Sequence, residues 1–185
     1  KSQDEVTSEE RSHAKAVNFG IIYGISDFGL SRDLGITRQE AKNYIELYFS
    51  RYPKVKEYMD NMVKEAHETG KVRTMFGRMR ELPDINSRNF NRRSFAERTA
   101  MNTPIQGTAA DIIKLAMNKV ESILEEKKFK SRLLLQVHDE LVLEVVNEEL
   151  DAIQTLLKET MESIVELHVP LIVDVHNAEN WALVK

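Results

Sequence analysis

The sequence contains no cysteine, which excludes disulfide bonds and thiolate-ligated metal sites. Any metal must therefore be held by oxygen atoms or histidine, and the lack of cysteine fits a reducing compartment. The sequence also lacks a signal-peptide pattern and any apolar run of about 18 residues, so neither secretion nor membrane spanning is indicated. We therefore expect a soluble cytoplasmic protein.

The first residue of the 185-residue sequence is Lys1 rather than methionine, so we expect the chain to be a piece of a longer protein. Its length is enough for one domain, or for two small subdomains with a real core. Internal repeats and low-complexity tracts are also lacking. The sequence therefore indicates an ordinary globular piece rather than a repeat array or a linker.

The net charge of −4 is distributed unevenly along the chain. Residues 71–98 include eight basic and three acidic side chains, a local balance of +5, whereas residues 121–185 include six basic and fourteen acidic ones. A concentrated basic segment suits phosphate contact, although solubility alone explains it equally well. The acidic end suits either solvation or the attraction of a metal ion.

The segment 11–24 has the most informative pattern in the sequence. Arg11, Lys15, Phe19 and Tyr23 recur every four residues, so on a helix they lie along one stripe. Cations suit phosphate oxygens and flat rings suit a base. The segment therefore predicts a nucleotide-binding helix, with a solvated face and core aromatics as the alternative.

Hydrophobic spacing and capping residues predict the remaining secondary structure. The predicted elements are helices at 30–34, 37–51 and 53–70, a hairpin or loop at 71–77, a helix at 94–128 interrupted near Pro104 and Gly107, a hairpin at 132–146, a helix at 148–168 and a strand at 171–175. Apolar positions of the helices at 37–51 and 53–70, among them Tyr44, Leu47 and Tyr58, are interpreted as core.

A second polar stripe occurs at the start of the long helical pattern. Arg98, Asn102 and Gln106 follow each other at a spacing of four, which presents a guanidinium and two amides on one side of a helix. Such donors can reach the minor-groove acceptors that every base pair offers. The stripe therefore predicts contacts that check duplex shape, with ordinary helix-surface polarity as the alternative.

The hairpin at 132–146 has a polar tip between two apolar runs rich in leucine and valine. His138, Asp139 and Glu140 form that tip, which predicts a buried hairpin ending in two carboxylates and an imidazole. Aspartate is ordinary at a turn and needs no function there. Carboxylates are nevertheless the ligands with which proteins usually hold Mg²⁺, together with substrate phosphates.

These three motifs, in this order, resemble the C-terminal part of the family A DNA polymerases, the bacterial DNA polymerase I family. The segment 11–24 is similar to the family's second polymerase motif, residues 137–140 to its third, and residues 98–107 to the segment between them. The resemblance implies an α+β fold, part of a right-hand polymerase. Residues 1–93 would form a mostly helical fingers subdomain, and residues 94–185 would form the C-terminal part of an antiparallel-sheet palm with packed helices.

The resemblance also implies template-directed DNA synthesis in replication or repair. In that reaction the primer 3′-hydroxyl attacks the α-phosphate of a deoxynucleoside triphosphate and pyrophosphate leaves. Arg11 and Lys15 would clamp the triphosphate, and Lys15 would also be a candidate proton donor to the leaving group. Phe19 would stack on the incoming nucleotide, and Tyr23 would border the templating base.

The remaining implied roles concern metal and DNA. Asp139 would be a ligand in a mechanism that uses two Mg²⁺ ions, with Glu140 as a supporting carboxylate and His138 near the primer end. The residues implied to hold the primer–template DNA are Arg98, Asn102 and Gln106. Because no apolar run is long enough to span a bilayer, no membrane partner is expected.

The family's first motif, which provides the other metal-binding aspartate, is missing from these residues. We therefore expect the 185 residues alone to be inactive and to require the upstream half of the same polypeptide. Two other functions stay open. One is a non-catalytic nucleic-acid-binding module, in which Asp139 is only a turn residue. The other is a single-subunit RNA polymerase, against which Phe19 and the segment 98–106 argue.

Overall fold

The computed structural model describes residues 5–184, and within them the chain is mostly helical with two small antiparallel sheets. The elements in chain order are α1 (Ser8–Ile22), α2 (Asp27–Leu34), α3 (Arg38–Arg51), α4 (Pro53–Thr69), β1 (Lys71–Arg73), β2 (Met79–Glu81), α5 (Phe90–Glu126), β3 (Arg132–Val137), β4 (Glu140–Glu144) and α6 (Leu150–Glu162). This arrangement confirms the α+β fold class. No helix among the described residues is both long and apolar enough to cross a bilayer.

The chain divides into two compact units, one ending at Gly107 and the other beginning at Thr108. The division falls inside α5, so this helix contributes its first half to unit 1 and its second half to unit 2. The subdomain boundary predicted between residues 93 and 94 stays a prediction. Each unit is described separately below.

The helices of unit 1 begin where the sequence offers a capping side chain. Thr7 caps α1 reciprocally, because its Oγ1 accepts from the Glu10 N–H at 3.1 Å while Glu10 Oε2 accepts from the Thr7 N–H at 2.9 Å. Ser26 caps α2 in a simpler way by accepting from the Gly29 N–H at 3.1 Å. Because of this cap α2 begins at Asp27, three residues earlier than the sequence pattern predicted.

The core of unit 1 lies where α4, the β1–β2 hairpin and the first half of α5 meet. Its buried side chains are Ala66, Val72, Leu82, Ile85, Ala96 and Ala100. The core prediction was wrong at three positions of α3 and α4, since Tyr44, Leu47 and Tyr58 are 49%, 64% and 38% exposed. Helical spacing marks one face of a helix but not the width of the surface that a neighbour covers.

Helix α5 runs without interruption from Phe90 to Glu126, which corrects the predicted break near Pro104 and Gly107. Proline at position 104 removes one hydrogen bond, the one that would reach the Ala100 carbonyl, at a cost of about 3 kcal/mol. Ala100, Thr103 and Pro104 are all buried, so packing on this stretch of helix offsets that loss.

Gly107 is the position at which the β1–β2 connection approaches α5 most closely. A Cβ atom added at Gly107 would lie 2.6 Å from Cγ2 of Thr74, which is closer than real Cβ atoms come to a neighbour. Thr74 is only 6% exposed, and its hydroxyl accepts from the Arg78 N–H at 3.1 Å. The glycine in this helix is therefore required by the buried methyl group of Thr74.

Gly107→Ala should destabilise the protein by about 1–3 kcal/mol, because the new methyl group overpacks this contact. In a Thr74→Ser background the same change should be neutral or stabilising by up to about 1 kcal/mol. Serine keeps the hydroxyl but lacks the Cγ2 atom that the new methyl group would meet, and alanine has a higher helix propensity than glycine. Urea unfolding of the four proteins measures both effects. An equal loss of stability in both backgrounds would contradict this explanation.

Unit 2 packs the second half of α5 against α6 and one face of the β3–β4 hairpin. The buried residues of the cluster that they form are Val120, Leu124, Ile153, Leu156 and Leu157. Strands β3 and β4 are antiparallel, with Val137 paired to Glu140 at the turn and Arg132 paired to Glu144 at the open end. The hairpin is less buried than predicted, since Leu134 and Leu135 are 48% and 47% exposed.

Glu149 anchors the base of this hairpin from the short 3₁₀ turn before α6. Its carboxylate accepts from the backbone N–H groups of Lys130 and Ser131 and from the Ser131 hydroxyl, at 2.6–3.1 Å. The Lys130 N–H and then the Ser131 hydroxyl hold the pKa of Glu149 below its usual value. Stability from this anchor is therefore present above the unfolded-state pKa and is lost as the pH falls through the lowered folded-state value.

The C-terminal part differs from the prediction in two ways. Helix α6 ends at Glu162 rather than near residue 168, and residues 171–175 form no strand within the described part of the chain. The alternation of burial that suggested a strand is present, since Leu171, Val173 and Val175 are half-buried and Ile172 is 77% exposed. The Val173 N–H donates to Glu162 Oε1 at 3.0 Å instead of joining a ladder.

Candidate functional site

The predicted nucleotide-binding stripe lies on the open side of α1. Arg11 and Lys15 are exposed, and neither side chain forms an ion pair or hydrogen bond with another residue in the 5–184 range. Phe19 is 47% exposed, which is high for a large aromatic side chain. Lys15 and Phe19 are therefore both accessible, as a nucleotide site requires.

The aromatic end of the stripe is ordered by contact between its two rings. Phe19 and Tyr23 stack at a centroid distance of 6.1 Å with their planes 25° apart. Tyr23 is half-buried and follows the last residue of α1, where its N–H donates to the Phe19 carbonyl at 2.9 Å. The stripe thus presents two free cations, then an exposed ring, then a partly covered ring, over roughly 18 Å of helix.

The other side of α1 packs against the rest of unit 1. Ile21 is 2% exposed, and Asn18 Oδ1 accepts from the Tyr48 hydroxyl of α3 at 2.9 Å. A cavity of about 410 Å³ lies on this side, lined by Ile21, Ile25 and residues of α3 and α4. None of the predicted site residues lines it. The cavity is therefore separate from the stripe.

Gly24 brings the end of α1 against α5. Its φ of +73° is in the left-handed region, and an added Cβ would collide with Met101 Cε and lie 3.2 Å from Arg98 Cγ. The structure therefore brings Arg98, which belongs to the second predicted stripe, next to the end of α1, which carries the first predicted stripe.

The second stripe has one exposed cation, one half-buried amide and one exposed amide. Arg98 is exposed and its Nη1 donates to the Ser94 hydroxyl at 3.0 Å, one turn earlier on α5. Asn102 is half-buried, and its Oδ1 is buried without a hydrogen-bond partner among the described residues. Gln106 is exposed. The free donors of these side chains suit base-edge or sugar oxygens.

The predicted acidic tip lies at the turn of the β3–β4 hairpin. His138, Asp139 and Glu140 are exposed, and the two carboxylates form no hydrogen bond or ion pair within the described residues. His138 has a φ of +54°, which is rare for a residue with a side chain. Its carbonyl accepts a hydrogen bond from Gln136 Nε2, which helps to hold the turn. Such local strain is typical of functional turns.

The tip provides part of a ligand set for a divalent cation. Carboxylate oxygen is the donor type that Mg²⁺ prefers, and Asp139 and Glu140 provide it next to each other in the chain. No group of three or more histidine, aspartate or glutamate side chains that could hold a metal occurs among residues 5–184. The residues present therefore fit Mg²⁺ in donor type, and the remaining ligands must come from elsewhere.

Comparison with known proteins gives the family. A sequence profile of DNA polymerase family A matches residues 1–183. The chain belongs to DNA polymerase family A. It is 60% identical over 178 residues to DNA polymerase I of Lactococcus lactis subsp. lactis (strain IL1403), covering 96% of this chain and 20% of that protein. It is 58% identical over 180 residues to DNA polymerase I of Geobacillus stearothermophilus, covering 97% of this chain and 20% of that protein.

A solved structure of the same family is also similar. The POL domain of Pol1 from M. smegmatis, in complex with DNA primer-template and dNTP, superposes with a TM-score of 0.87 at 45% sequence identity. The match covers 91% of this chain and 30% of that chain. The chain therefore spans about a fifth of the length of the DNA polymerase I relatives that it matches.

Family membership confirms the resemblance, whereas the roles of individual residues stay predictions. Arg11, Lys15, Phe19 and Arg98 belong to unit 1, and Asp139 belongs to unit 2. The sequence pattern missed side chains that contact the two predicted stripes or their helices. Ser94 accepts a hydrogen bond from Arg98, and the Tyr48 hydroxyl donates to Asn18 of α1. Ser94 could have been found, because it lies four residues before Arg98 on the same helix.

Proposed function

We propose that the protein containing this chain catalyses template-directed DNA synthesis and releases pyrophosphate from a deoxynucleoside triphosphate. The observation that carries the proposal is the accessible row of Arg11, Lys15 and Phe19 on α1, in a chain that belongs to DNA polymerase family A. The M. smegmatis complex with primer-template and dNTP supports the same substrates. Replication or repair in the cytoplasm is the setting that we propose for this reaction.

Arg11 and Lys15 bind the triphosphate in this proposal. Their charges lie one turn apart and have no acidic partner among the described residues, so they are available to phosphate oxygens. Negative charge increases on those oxygens as pyrophosphate leaves, and cations fixed on a helix stabilise it without reorganising. Lys15 also holds a proton that it can give to the leaving pyrophosphate, which arginine cannot do.

Phe19 stacks on the incoming nucleotide and Tyr23 borders the templating base. The exposed face of Phe19 provides the surface for a base or sugar, and its contact with Tyr23 keeps the ring in place. Tyr23 lies at the end of α1, directly before Gly24, and a Cβ added at Gly24 would lie 3.2 Å from Arg98 Cγ. Arg98, with the two amides after it, holds primer and template.

Asp139 holds divalent cations in this proposal, with Glu140 in support and His138 near the primer end. The family resemblance implies two Mg²⁺ ions, which activate the primer hydroxyl and neutralise the phosphates when bound. The chain's own contribution is a carboxylate without an ion partner among residues 5–184, on a strained, hydrogen-bonded turn. The other metal-binding aspartate belongs to the family motif that these residues lack.

Primer extension tests the proposal. The full-length protein should extend a primed DNA template with deoxynucleotides in a reaction that requires Mg²⁺ and stops with a chelator. The isolated 185 residues should not extend it, because Asp139 and Glu140 lie on one turn and cannot replace a carboxylate from another strand on the far side of a metal pair. Retained DNA binding without extension by the full-length protein would favour the non-catalytic module. A preference for ribonucleotides would favour the RNA polymerase.

Phe19→Tyr should increase the acceptance of dideoxynucleotides relative to deoxynucleotides by about tenfold or more. A phenolic hydroxyl can provide a hydrogen bond near the sugar when the 3′-hydroxyl is missing, and one such bond to a charged group is worth about 1.5–3 kcal/mol. Single-nucleotide incorporation by the full-length protein measures the ratio. Phe28→Tyr, at a 62% exposed ring of α2, is the matched control and should change nothing. An unchanged ratio in Phe19→Tyr would count against this role.

A further inference from the structure

The cavity of about 410 Å³ in unit 1 has no part in the proposed function, because no residue with a role in DNA synthesis lines it. Its walls come from the end of α1, from α3 and α4, and from one residue of α5. Small-molecule sites in proteins usually have volumes of about 300–1,000 Å³. The cavity lies at the lower end of this range, so it suits a body of two fused rings rather than a larger ligand.

The inner walls of the cavity are apolar. Met59 is 7% exposed, and Phe49 and Met101 are half-buried. Tyr48 contacts the Phe49 ring edge-on at a centroid distance of 5.7 Å, which holds this ring in place. Methionine side chains adapt to the shape of a ligand, and their sulfur atoms make favourable contacts with aromatic rings. The interior therefore favours a flat aromatic body.

The mouth of the cavity is charged, and its charges are on α4. Lys56, Asp60 and Lys64 recur every four residues, line the cavity and are exposed. Lys56 is paired with Asp60, so these two charges cancel. The ammonium group of Lys64 forms no ion pair or hydrogen bond with any other residue of the range 5–184. The mouth therefore has one free positive charge.

We propose that this cavity is a binding site for a bicyclic aromatic monocarboxylate. The fused rings lie among Phe49, Met59 and Met101, and the carboxylate accepts a hydrogen bond from the Lys64 ammonium group. Because Ile21 lines the cavity, the bound ligand packs against α1 on the side away from the nucleotide stripe. The site is additional to the proposed function, and its occupation does not depend on that function.

The charge at the mouth selects among aromatic ligands. A nucleoside triphosphate carries several negative charges and needs several free cations, whereas the mouth offers one. The Asp60 carboxylate at the same mouth repels a second negative charge on the ligand. A neutral molecule with the same rings gains the apolar contacts but no charge-assisted hydrogen bond. A single carboxylate on an apolar body therefore fits both parts of the cavity.

Titration of the full-length protein with 2-naphthoate tests the site, and 2-naphthalenemethanol is the uncharged compound of similar shape. Calorimetry should give a dissociation constant of about 0.1–1 mM for the acid, which is ordinary for a ligand of this size. The alcohol should bind about fivefold more weakly or worse. In NMR spectra of isotope-labelled methionine methyl groups, assigned by single replacements, the acid should shift Met59 and Met101. It should leave Met79 of β2, which does not line the cavity, unshifted.

One pair of variants tests the charge. Lys64→Gln should weaken binding of the acid by about fivefold or more and leave binding of the alcohol unchanged, because it removes the charge and keeps a polar side chain. Lys54→Gln is the matched control, since Lys54 is an exposed lysine of the same helix that does not line the cavity. It should bind both compounds as the unmodified protein does.

Cavity-filling variants test the space. Val63→Phe on α4 and Ile45→Phe on α3 add an aromatic ring from two different walls, and each should abolish binding of both compounds. Val55→Phe is the control, because Val55 is another half-buried valine of α4 and does not line the cavity. Circular dichroism and thermal unfolding identify the variants that keep the fold, and only those are compared.

Competition excludes the nucleotide stripe as the binding site of the acid. A saturating deoxynucleoside triphosphate should not displace 2-naphthoate, and Lys15→Ala should not weaken its binding, because no residue of the stripe lines the cavity. Displacement by the triphosphate would overturn the inference. Equal affinity for the acid and the alcohol, unchanged binding by a folded cavity-filling variant, or no binding of the acid below about 10 mM would overturn it as well. Primer extension is measured without the ligand, so these results leave the proposed function untouched.

Discussion

Asp139→Asn in the full-length protein should lower the rate of primer extension by about 10³-fold or more and leave primer–template affinity within about twofold. Removing one fixed electrostatic stabiliser from an active site typically lowers the rate by about 10²–10³, and a metal ligand contributes in addition to the position of the ion. Asparagine keeps the size of the side chain, so the strained turn at His138 is preserved. The change therefore removes charge from the tip without removing the tip.

Single-turnover extension and equilibrium DNA binding should be measured on the same preparations. Asp151→Asn is the matched control, because Asp151 is an exposed aspartate of the same unit in the first turn of α6. Glu140→Gln should have an intermediate effect, in keeping with a supporting carboxylate. Extension by Asp139→Asn within tenfold of the unmodified protein would leave Asp139 as an ordinary turn residue and would favour the non-catalytic binding module.

Features that depend on neighbouring residues in the chain could be predicted from the sequence. The start of α3 after Thr37, the start of α4 at Pro53 and the turn between β3 and β4 are all where short-range patterns put them. The exposed stripe of α1 belongs to the same class, because a spacing of four fixes which side chains share a face. Whether that face is open depends on the rest of the fold, and the structure leaves it open.

Features that depend on contacts distant in sequence could not be predicted. Pro104 should interrupt a helix on local grounds, but the buried residues around it keep α5 continuous. The glycine at position 107 looked like a break, whereas it makes room for the Thr74 methyl group. Residues 171–175 alternate as a strand does, but within the described residues they have no partner strand. In each case the sequence pattern was real and the tertiary environment decided its use.

The candidate site could be predicted residue by residue only in part. Arg11, Lys15, Phe19 and the tip at Asp139 are accessible, as a site requires, because polar patterns at helix faces and turns are local signals. The positive φ of His138 and the contact of Gly24 with Met101 left no signal beyond a turn and a glycine. Such features arise from packing, and sequence spacing alone does not contain them.

Lys15→Ala should lower the rate of nucleotide incorporation by about 10²–10³-fold, because it removes one cation from phosphate oxygens on which charge increases during the reaction. Binding of primer–template should be unchanged, since Lys15 is proposed to contact the triphosphate and not the DNA. Lys15→Arg separates the two roles. Arginine restores the charge and therefore the affinity for the triphosphate, but it cannot give up a proton at neutral pH, so the rate should remain low.

Pre-steady-state incorporation over a range of nucleotide concentrations gives the affinity and the rate separately for each variant. Lys42→Ala is the control, because Lys42 is an exposed lysine of the same unit and its only ion partner in the described residues is Glu46, at 3.8 Å on α3. Full recovery of the rate in Lys15→Arg would show that charge alone is needed. A rate within tenfold of the unmodified protein in Lys15→Ala would instead remove Lys15 from the reaction, and with it the reading of α1 as the helix that holds the triphosphate.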